Sequence, residues 1–465
     1  MKKRWSLAVV AAALLFLSAC GEDADTYYDE YSDYEYTYEI EYNEATGGGT
    51  APVSEFARRW AADIEQLRGH VLSFHPYFAH PDFASTAASI VTRQIFNAQI
   101  DALLYELPYF GEFEIVVALQ RVMAIFRSND LRLGTFLAQM SDAFMVLFSV
   151  LGDGVYLVAS GESAAHALNS RLAGVNGVLI EDIIEMSRWL LGSYNLSSAQ
   201  HLAAARLPSP QFFAALGIGH DDVVVYNFVG RDGVAFDLVK DISRVSDWRH
   251  EMQGWEAWLS LRANDDTFYV DQAPLSPIWH DLMEEQNILY LRVQNNTFEP
   301  IPGYNTIRAL LRSGELYGTI IDMRSTAYWS EPISAVVLRV LEDAGRYTPP
   351  DMLFVLIDES TQMLELVLYL ESLGATLVGT PPLLPLQHLT TAFTRVGEHL
   401  AYHAILNYSR VSLFMPNRVV QTNLHGVTRD FPDGVILPHV WVGWTIDDWY
   451  YNRDPWMDYV MEQIR

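Results

Sequence analysis

Two histidines spaced four residues apart are the first candidates for chemistry in this chain. His399 and His403 lie where we predict a helix, and this spacing would place both imidazoles on one helix face, as zinc ligation requires. A metalloprotease helix has a glutamate directly after its first histidine, whereas this chain has Leu400. We therefore interpret the pair as structural, and we predict neither a metal nor another cofactor.

The other clustered histidines also have a structural interpretation. His70, His75 and His80 stand five residues apart among aromatic residues; they could line a peptide groove, but a partly exposed loop is the simpler prediction. His439 precedes Val440 in an apolar segment, where we predict a packed, hydrogen-bonded side chain.

Cys20 is the most specific chemical candidate near the N-terminus. A basic start at Met1 to Arg4 and an apolar run from Leu7 to Leu17 precede Leu17-Ser18-Ala19-Cys20-Gly21, which resembles the lipobox of bacterial lipoproteins. The resemblance implies that residues 1–20 are a lipoprotein signal peptide, and that Cys20 anchors an exported protein to a bacterial cell membrane through lipid. The alternative is an ordinary secretory peptide. Cys20 is the only cysteine, so a disulfide within the chain is excluded.

The charge balance excludes one class of partner. Fifty-eight acidic against 30 basic residues give a net charge of −28, which repels the phosphate backbone of nucleic acids. Ten of the acidic residues and seven tyrosines lie between Glu22 and Glu44, with no lysine or arginine. We interpret residues 21–52 as a disordered acidic tether.

Hydrophobic periodicity divides the remaining chain into three regions. Residues 53–150 are predicted to be helical, and residues 151–285 form a β-rich middle region with a hairpin at Val223 to Val239 around Gly230-Arg231-Asp232-Gly233. Residues 286–465 are predicted to form a largely parallel α/β core with a closing segment.

Four fully apolar strands, separated by three helices, define this core. The strands are predicted at Ile288 to Val293, Leu316 to Met323, Met352 to Ile357 and Ala375 to Val378. The helices are predicted at Ile307 to Leu311, Ile333 to Leu341 and Leu364 to Leu373. Because sites in such sheets form beyond the carboxyl ends of the strands, we expect chemistry in the loops after Met323 and Ile357.

The order of segments over about residues 55 to 465 resembles the tail-specific, or C-terminal-processing, serine proteases. The segments that carry the resemblance are Gly152 to Val158, Leu172 to Gly177, Ile288 to Arg292, Ile320 to Arg324, Val355 to Gly379, and Leu437 to Pro455. The resemblance implies an α/β protease-like core with a nucleophilic serine where a helix begins. Counting back from Gly379 places that serine at Ser360, whereas counting forward from Val355 falls near Met363.

A serine nucleophile needs a base, and neither base of the family is found. One branch of the family uses a lysine shortly after the nucleophile; here Thr380 to Pro385 contains none, and Lys240 is the only lysine outside the leader. The other branch uses a histidine at the position that Asp130 or Leu131 occupies, and no histidine occurs between His80 and His166.

The oxyanion region also differs from the family, which has an asparagine and paired glycines after its aspartate-leucine-arginine strand. This chain has Ser325 and Thr326, followed by Ala327, Tyr328 and Trp329. Loss of one oxyanion donor alone lowers the rate by about 10²- to 10³-fold. We therefore expect a catalytically degenerate protease that binds polypeptide or a cell-envelope protein. The alternative is an active endopeptidase in which Ser360 uses a non-standard base.

Overall fold

The structure is a computed structural model that describes residues 54–80, 84–128, 131–133, 142–144, 146–219, 223–241, 243–244, 278–293, 301, 303–324, 326, 335–390, 393–394, 398–399, 402–416 and 418–464. The chain divides into two compact units. The helical unit takes the described residues between 54 and 133, together with 189–192 and 402–416, and the sheet unit takes the others. In the described part of the chain, no helix is long and apolar enough to cross a membrane.

The elements confirm an α/β fold. The helices are α1 (Glu55–Phe74), α2 (Pro76–Ala79), α3 (Ala87–Glu106), α4 (Glu112–Ala124), α5 (Ile180–Leu191), α6 (Leu196–Arg206), α7 (Pro210–Leu216), α8 (Tyr304–Arg312), α9 (Ala335–Tyr347), α10 (Leu364–Ser372), α11 (Ile446–Tyr451) and α12 (Pro455–Ile464). The strands are β1 (Arg132–Leu133), β2 (Asp142–Ala143), β3 (Val146–Leu151), β4 (Gly154–Ser160), β5 (Arg171–Val175), β6 (Val178–Leu179), β7 (Val223–Val229), β8 (Ala235–Asp241), β9 (Ser243–Arg244), β10 (Ile278–Met283), β11 (Ile288–Val293), β12 (Gly318–Asp322), β13 (Leu353–Ile357), β14 (Thr376–Gly379), β15 (Gln387–Thr390), β16 (Phe393–Thr394), β17 (Glu398–His399), β18 (Tyr402–Ile405), β19 (Ser412–Met415), β20 (Arg418–Gln421) and β21 (Val440–Trp441).

The helical unit combines α1 to α4 with a hairpin from near the end of the chain. Ser54 caps α1 by accepting a hydrogen bond from the N–H of Ala57 at 3.1 Å. Farther along α1, the buried Asp63 carboxylate accepts hydrogen bonds from the N–H groups of Tyr408 (2.9 Å) and Ser409 (2.6 Å). These two bonds fix the turn between β18 and β19 against α1, so residues 402–416 belong to this unit rather than to the α/β core.

Two secondary-structure predictions are wrong. Residues 53–150 are not helical throughout, because β1, β2 and β3 occupy positions from Arg132 onward, and the valine and phenylalanine residues of β3 favour a strand. His399 and His403 do not share a helix: His399 ends β17 and His403 lies in β18, where its ring stacks on Phe414 with centroids 4.6 Å apart. The two imidazoles therefore cannot project from one helix face.

An antiparallel sheet in the order β3-β4-β5-β7-β8 occupies the first part of the sheet unit. Its predicted hairpin is confirmed as β7 and β8, and the turn after β5 has Asn176 and Gly177 at φ +51° and +79°, as a tight hairpin turn requires. Helices α5 to α7 lie in the chain between β6 and β7. The predicted β-rich middle region therefore includes three helices.

The second sheet of this unit has the order β10-β11-β12-β13-β14-β21. Strands β11 to β14 and β21 are parallel, whereas β10 pairs antiparallel with β11 at one edge. The four predicted core strands are confirmed, and α8, α9 and α10 connect them in turn. This topology brings the carboxyl ends of β12 and β13 to one edge.

Apolar side chains cover both faces of this sheet, which explains why its strands lack polar alternation. On one face, α8 to α10 pack on residues such as Leu291, Ile321 and Val355. On the other face, Trp456 and Val460 of α12 pack on Tyr290 and Phe354. The sheet is thus a rigid base for the loops that leave its carboxyl edge.

Candidate functional site

The candidate site lies where β12 and β13 end. Asp322 is paired with Leu356 in the parallel register, so the chain leaves both strands at neighbouring points. The loops after Met323 and Ile357 are therefore adjacent, as the sequence predicts.

A buried charge cluster, consisting of Tyr290, Arg292, Asp322, Arg324 and Asp454, supports this edge. The Asp322 carboxylate accepts hydrogen bonds from Tyr290 Oη (2.6 Å), Arg292 Nη1 (2.9 Å) and Arg324 Nη2 (2.7 Å). Arg324 also donates to both carboxylate oxygens of Asp454, each at 2.9 Å. Burial acts to raise the pKa of Asp322, but the charges of Arg324 and Arg292 hold that pKa well below its usual range.

Residues Asp358 to Gln362, which we call the Ser360 turn, connect β13 to α10. The buried Thr361 hydroxyl accepts a hydrogen bond from the N–H of Asp358 at 2.9 Å. It lies 3.0 Å from the carbonyl oxygen of Met323 and 3.1 Å from Oδ1 of Asp358, and it can donate its proton to either. This hydroxyl fixes the turn to the end of β12.

Ser360 itself is exposed, and its backbone N–H donates to Oδ1 of Asp358 at 3.0 Å. The hydroxyl of Thr361 is buried, and Met363, the alternative position for the nucleophile, is a buried thioether directly before α10. Ser360 is thus the residue whose hydroxyl the turn presents to solvent.

Thr326, predicted in the oxyanion region, contacts the same turn. Its buried Oγ1 accepts a hydrogen bond from the backbone N–H of Gln362 at 3.0 Å. The structure therefore brings Thr326 and Ser360 together. Ser325, Tyr328 and Trp329 lie outside the described residues.

The turn after β14 is joined to Glu359, the residue before Ser360. Thr380 Oγ1 donates to Glu359 Oε2 at 3.0 Å, and the N–H of Leu383 donates to the Glu359 carbonyl at 3.1 Å. Burial raises the pKa of Glu359, because the charged carboxylate loses water. Gly379, which ends β14, allows close pairing with Ile357 of β13, since a Cβ at its φ of +142° would collide with the carbonyl oxygen of Ile357.

His201 on α6 is a site residue that the sequence analysis missed. Burial lowers its pKa to about 4, and the negative charge of Asp358 acts in the opposite direction, which places the imidazole within electrostatic range of the Ser360 turn. The N-cap residue of the same helix, Asn195, donates from Nδ2 to the carbonyl of Leu383 at 3.4 Å. No motif surrounds His201 in the alanine-rich sequence of α6, so only the fold reveals its position.

The other candidate bases lie in different surroundings. Lys240 donates from Nζ to Ser163 Oγ at 2.8 Å, at the edge of the antiparallel sheet. His439 accepts a hydrogen bond from the N–H of Leu377 at Nδ1 (2.9 Å), as the prediction of a hydrogen-bonded histidine requires. Of the positions where the family has its histidine, Leu131 is buried and Asp130 lies outside the described residues. Cys20, the predicted lipidation site, also lies outside them.

Among the residues that the structure describes, this edge has an exposed serine and a fixed backbone but no catalytic triad. Within the described residues, the Ser360 hydroxyl has no hydrogen bond to an imidazole or an ammonium group. The same part of the chain contains no cluster of three histidine, cysteine or acidic residues that could hold a metal ion.

Comparisons with known proteins agree with the fold. No protein-family model matches the chain, and no curated protein gives a significant sequence match. Mature CPAF complexed with lactacystin is 10% identical over 88% of this chain and 98% of its own, with a TM-score of 0.50. Mature CPAF in another structure has the same identity, coverages of 88% and 97%, and a TM-score of 0.49.

A more distant match is the photosystem II D1 C-terminal processing protease, 10% identical over 82% of this chain and 92% of its own, with a TM-score of 0.32. At these identities the likeness concerns the fold alone. The chain therefore has a CPAF-like α/β protease fold, and the resemblance to tail-specific proteases is supported at the level of the fold.

Proposed function

We propose that this protein is an exported bacterial lipoprotein whose protease-like body binds polypeptide without cleaving it. The observation that carries the proposal is the Ser360 turn, in which Thr361 and Asp358 fix the backbone but no described base hydrogen-bonds the Ser360 hydroxyl. A serine without a base remains protonated and is a poor nucleophile. The site then retains the support for a peptide and lacks the means to attack it.

The binding surface in this proposal is the carboxyl edge of the parallel sheet. Ser360 and Gln362 are exposed there, and both belong to a turn that the buried Thr326 and Thr361 hold in place. A fixed turn loses little conformational entropy when a ligand binds, which favours affinity. The net charge of −28 favours neutral or cationic segments of a polypeptide or a cell-envelope protein.

A photo-crosslinking amino acid at Gln362 tests the binding role. We expect it to capture polypeptide from a cell-envelope extract. The matched control places the same group at Tyr347, which is exposed and precedes β13 at the opposite edge of the sheet. Equal capture at both positions would contradict a specific site at the carboxyl edge.

Lipid anchoring is the second part of the proposal. It rests on the lipobox-like sequence Leu17 to Gly21 and on the acidic segment behind it, which would hold the body away from an anionic membrane surface. Labelled palmitate should enter the wild-type protein and be absent from Cys20→Ala. Because Cys20 is the only cysteine, label that persists in this variant would refute lipidation at the thiol.

One observation favours a second function, an active endopeptidase in which His201 serves as the base for Ser360. Its imidazole lies within electrostatic range of Asp358 and is neutral at pH 7, which is the form that accepts a proton, although burial lowers its pKa to about 4 and weakens it as a base. Mass-spectrometric scoring of an unbiased peptide mixture separates the two functions. Cleavage by the wild type that both Ser360→Ala and His201→Gln abolish would establish the endopeptidase, and no cleavage by any of the three supports the binding role.

A further inference from the structure

Helices α8 and α9 carry a basic surface in a strongly acidic chain. Arg308 and Arg312 lie on α8, and Arg339 and Arg346 lie on α9. Helix α8 contains no acidic residue, although acidic residues outnumber basic ones by 58 to 30 in the whole chain. We call these four arginines the arginine face. The positive charge that collects here contrasts with the net charge of −28 and needs a physical explanation.

The carboxylate of Asp343 holds the arginine face together. This buried carboxylate pairs with Arg308 Nε at 2.5 Å and with Arg312 Nε at 3.0 Å. Arg339 precedes Asp343 by four positions and Arg346 follows it by three, and this spacing places all three residues on one face of α9. The four guanidinium groups are therefore neighbours on a surface that α8 and α9 form together.

The acidic residues nearby do not neutralise the arginine face. Asp343 is one carboxylate against four guanidinium groups, and within the described residues neither Arg339 nor Arg346 has an ion pair. Two exposed acidic residues lie at its margins, Glu315 beyond the end of α8 and Glu342 on the side of α9 toward α10. Even with both included, the positive charges outnumber the negative ones, so the surface attracts anions.

The arginine face can bind aromatic rings as well as carboxylates. Arg308 lies over the Tyr304 ring, 5.3 Å from its centroid, and its Nη1 donates to the Tyr304 hydroxyl at 2.9 Å. A guanidinium plane can stack on a tyrosine while its N–H groups bind a carboxylate. A ligand that is rich in both tyrosine and carboxylate groups would therefore match this surface.

Residues 22–44 of the same chain have this composition. They contain ten acidic residues and seven tyrosines, with no lysine or arginine. Attachment to the same chain raises their local concentration to the millimolar range, so contacts that are individually weak can keep them bound. Fully extended, the chain from Glu22 to Ser54 spans about 100 Å, about three times the diameter of a small domain. Its length therefore does not restrict it to the surface around the start of α1.

From this complementarity of charge and aromatic content, we infer that residues 22–44 bind the arginine face of their own chain. An anionic membrane surface would repel this segment, whereas the arginine face attracts it. The contact involves neither the Ser360 turn nor a lipid on Cys20, so it does not depend on the function proposed above.

A photo-crosslinking amino acid in place of Tyr36, in the detergent-solubilised full-length protein, tests the inference. Mass-spectrometric mapping should find the cross-links in peptides of α8 or α9. Arg339→Glu combined with Arg346→Glu should lower their yield at least about 10-fold, because like charges then repel. The matched control combines Arg127→Glu with Arg410→Glu, which changes the net charge equally at exposed arginines of the helical unit and should retain the yield. Cross-links mainly to other segments or to another protein, or an equal loss in both double variants, would overturn the inference.

Two further measurements separate this contact from its alternatives. In a mixture of isotope-labelled and unlabelled chains, both peptides of a cross-linked pair should carry the same isotope. Pairs of mixed isotope would place the segment on a second copy and overturn the contact within one chain. Raising the salt from about 0.1 M to about 1 M shortens the screening length from about 10 Å to about 3 Å, so the yield should fall several-fold. An unchanged yield would show that charge does not hold the segment, and would also overturn the inference.

Discussion

The charge cluster and the Ser360 turn lie at the same edge of the same sheet and are built on opposite plans. In the charge cluster, Asp322, Arg324 and Asp454 direct their charges at one another. In the Ser360 turn, the interior groups fix the backbone while Ser360 and Gln362 face solvent. The charged groups of the cluster therefore satisfy one another inside the protein, whereas the Ser360 turn leaves two polar side chains exposed.

This difference separates the groups that hold the fold together from the groups that the Ser360 turn exposes to solvent. Asp322 and Arg324 belong to the strand that resembles a tail-specific protease, and their contacts are structural. These groups hold the scaffold, and the Ser360 hydroxyl is not among them.

The largest effect should come from opening the charge cluster. Asp322→Asn leaves two buried guanidinium groups with Asp454 as the remaining carboxylate, and we expect the free energy of unfolding to fall by about 3–5 kcal/mol. Urea denaturation measures the change. Asp241→Asn, at the exposed end of β8, is the control and should change stability by less than about 0.5 kcal/mol.

The charge cluster should also determine stability in acid. Since the folded pKa of Asp322 lies below its unfolded value, its stabilisation is complete above about pH 4 and is lost as the pH falls further. Asp322→Asn should remove this part of the acid dependence. An unchanged acid profile in the variant would contradict the assignment.

The next effect concerns His201, beside the Ser360 turn. Its folded pKa of about 4 lies below the ordinary value of 6.5, so the unfolded state gains a proton first as the pH falls. Stability should therefore decrease by about 3 kcal/mol between pH 6.5 and 4 and level off below that range. His201→Gln should abolish this slope, whereas the exposed His166→Gln should retain it; retention in both would rule out His201 as its source.

A smaller effect is expected from the interior of the Ser360 turn. Thr361→Val removes the hydroxyl that bonds the Asp358 N–H and reaches the Met323 carbonyl, so we expect a loss of about 1–3 kcal/mol. Thr361→Ser keeps the hydroxyl and is the matched control. Thermal unfolding and photo-capture at Gln362 should both weaken in the valine variant alone; equal losses in the two variants would point to the methyl group instead.

The contrast between the two regions also shows what sequence can predict. Strands β11 to β14 are predicted well because burial on both faces removes their polar residues, and the segment lengths exclude helices. The candidate nucleophile, in contrast, came from counting along the segments of the resembling family, and the two counts gave different positions, Ser360 and near Met363. Local sequence patterns can therefore predict which strands exist and which loops leave their carboxyl ends.

Contacts between distant segments cannot be predicted from local sequence patterns. Nothing local relates His201 to Asp358, which is 157 positions later, or attaches residues 402–416 to Asp63. The wrong helix over His399 and His403 has a related cause, because strand β18 is stabilised by pairing with β19 rather than by its own spacing. Tertiary pairing decides these cases.

The smallest effect should come from Ser360 itself. Its side chain is exposed, and its backbone N–H bond to Asp358 survives in Ser360→Ala, so we expect the free energy of unfolding to change by less than about 0.5 kcal/mol. Catalytic groups are often held at a cost to stability, and their removal then stabilises the protein. Thermal unfolding of Ser360→Ala beside Ser360→Thr, which retains a hydroxyl, distinguishes these cases. A gain of about 1 kcal/mol or more in Ser360→Ala alone would indicate that the serine is a strained nucleophile. That result would contradict the interpretation of the Ser360 turn as an unstrained binding surface beside the charge cluster, and it would favour the endopeptidase over the binding protein.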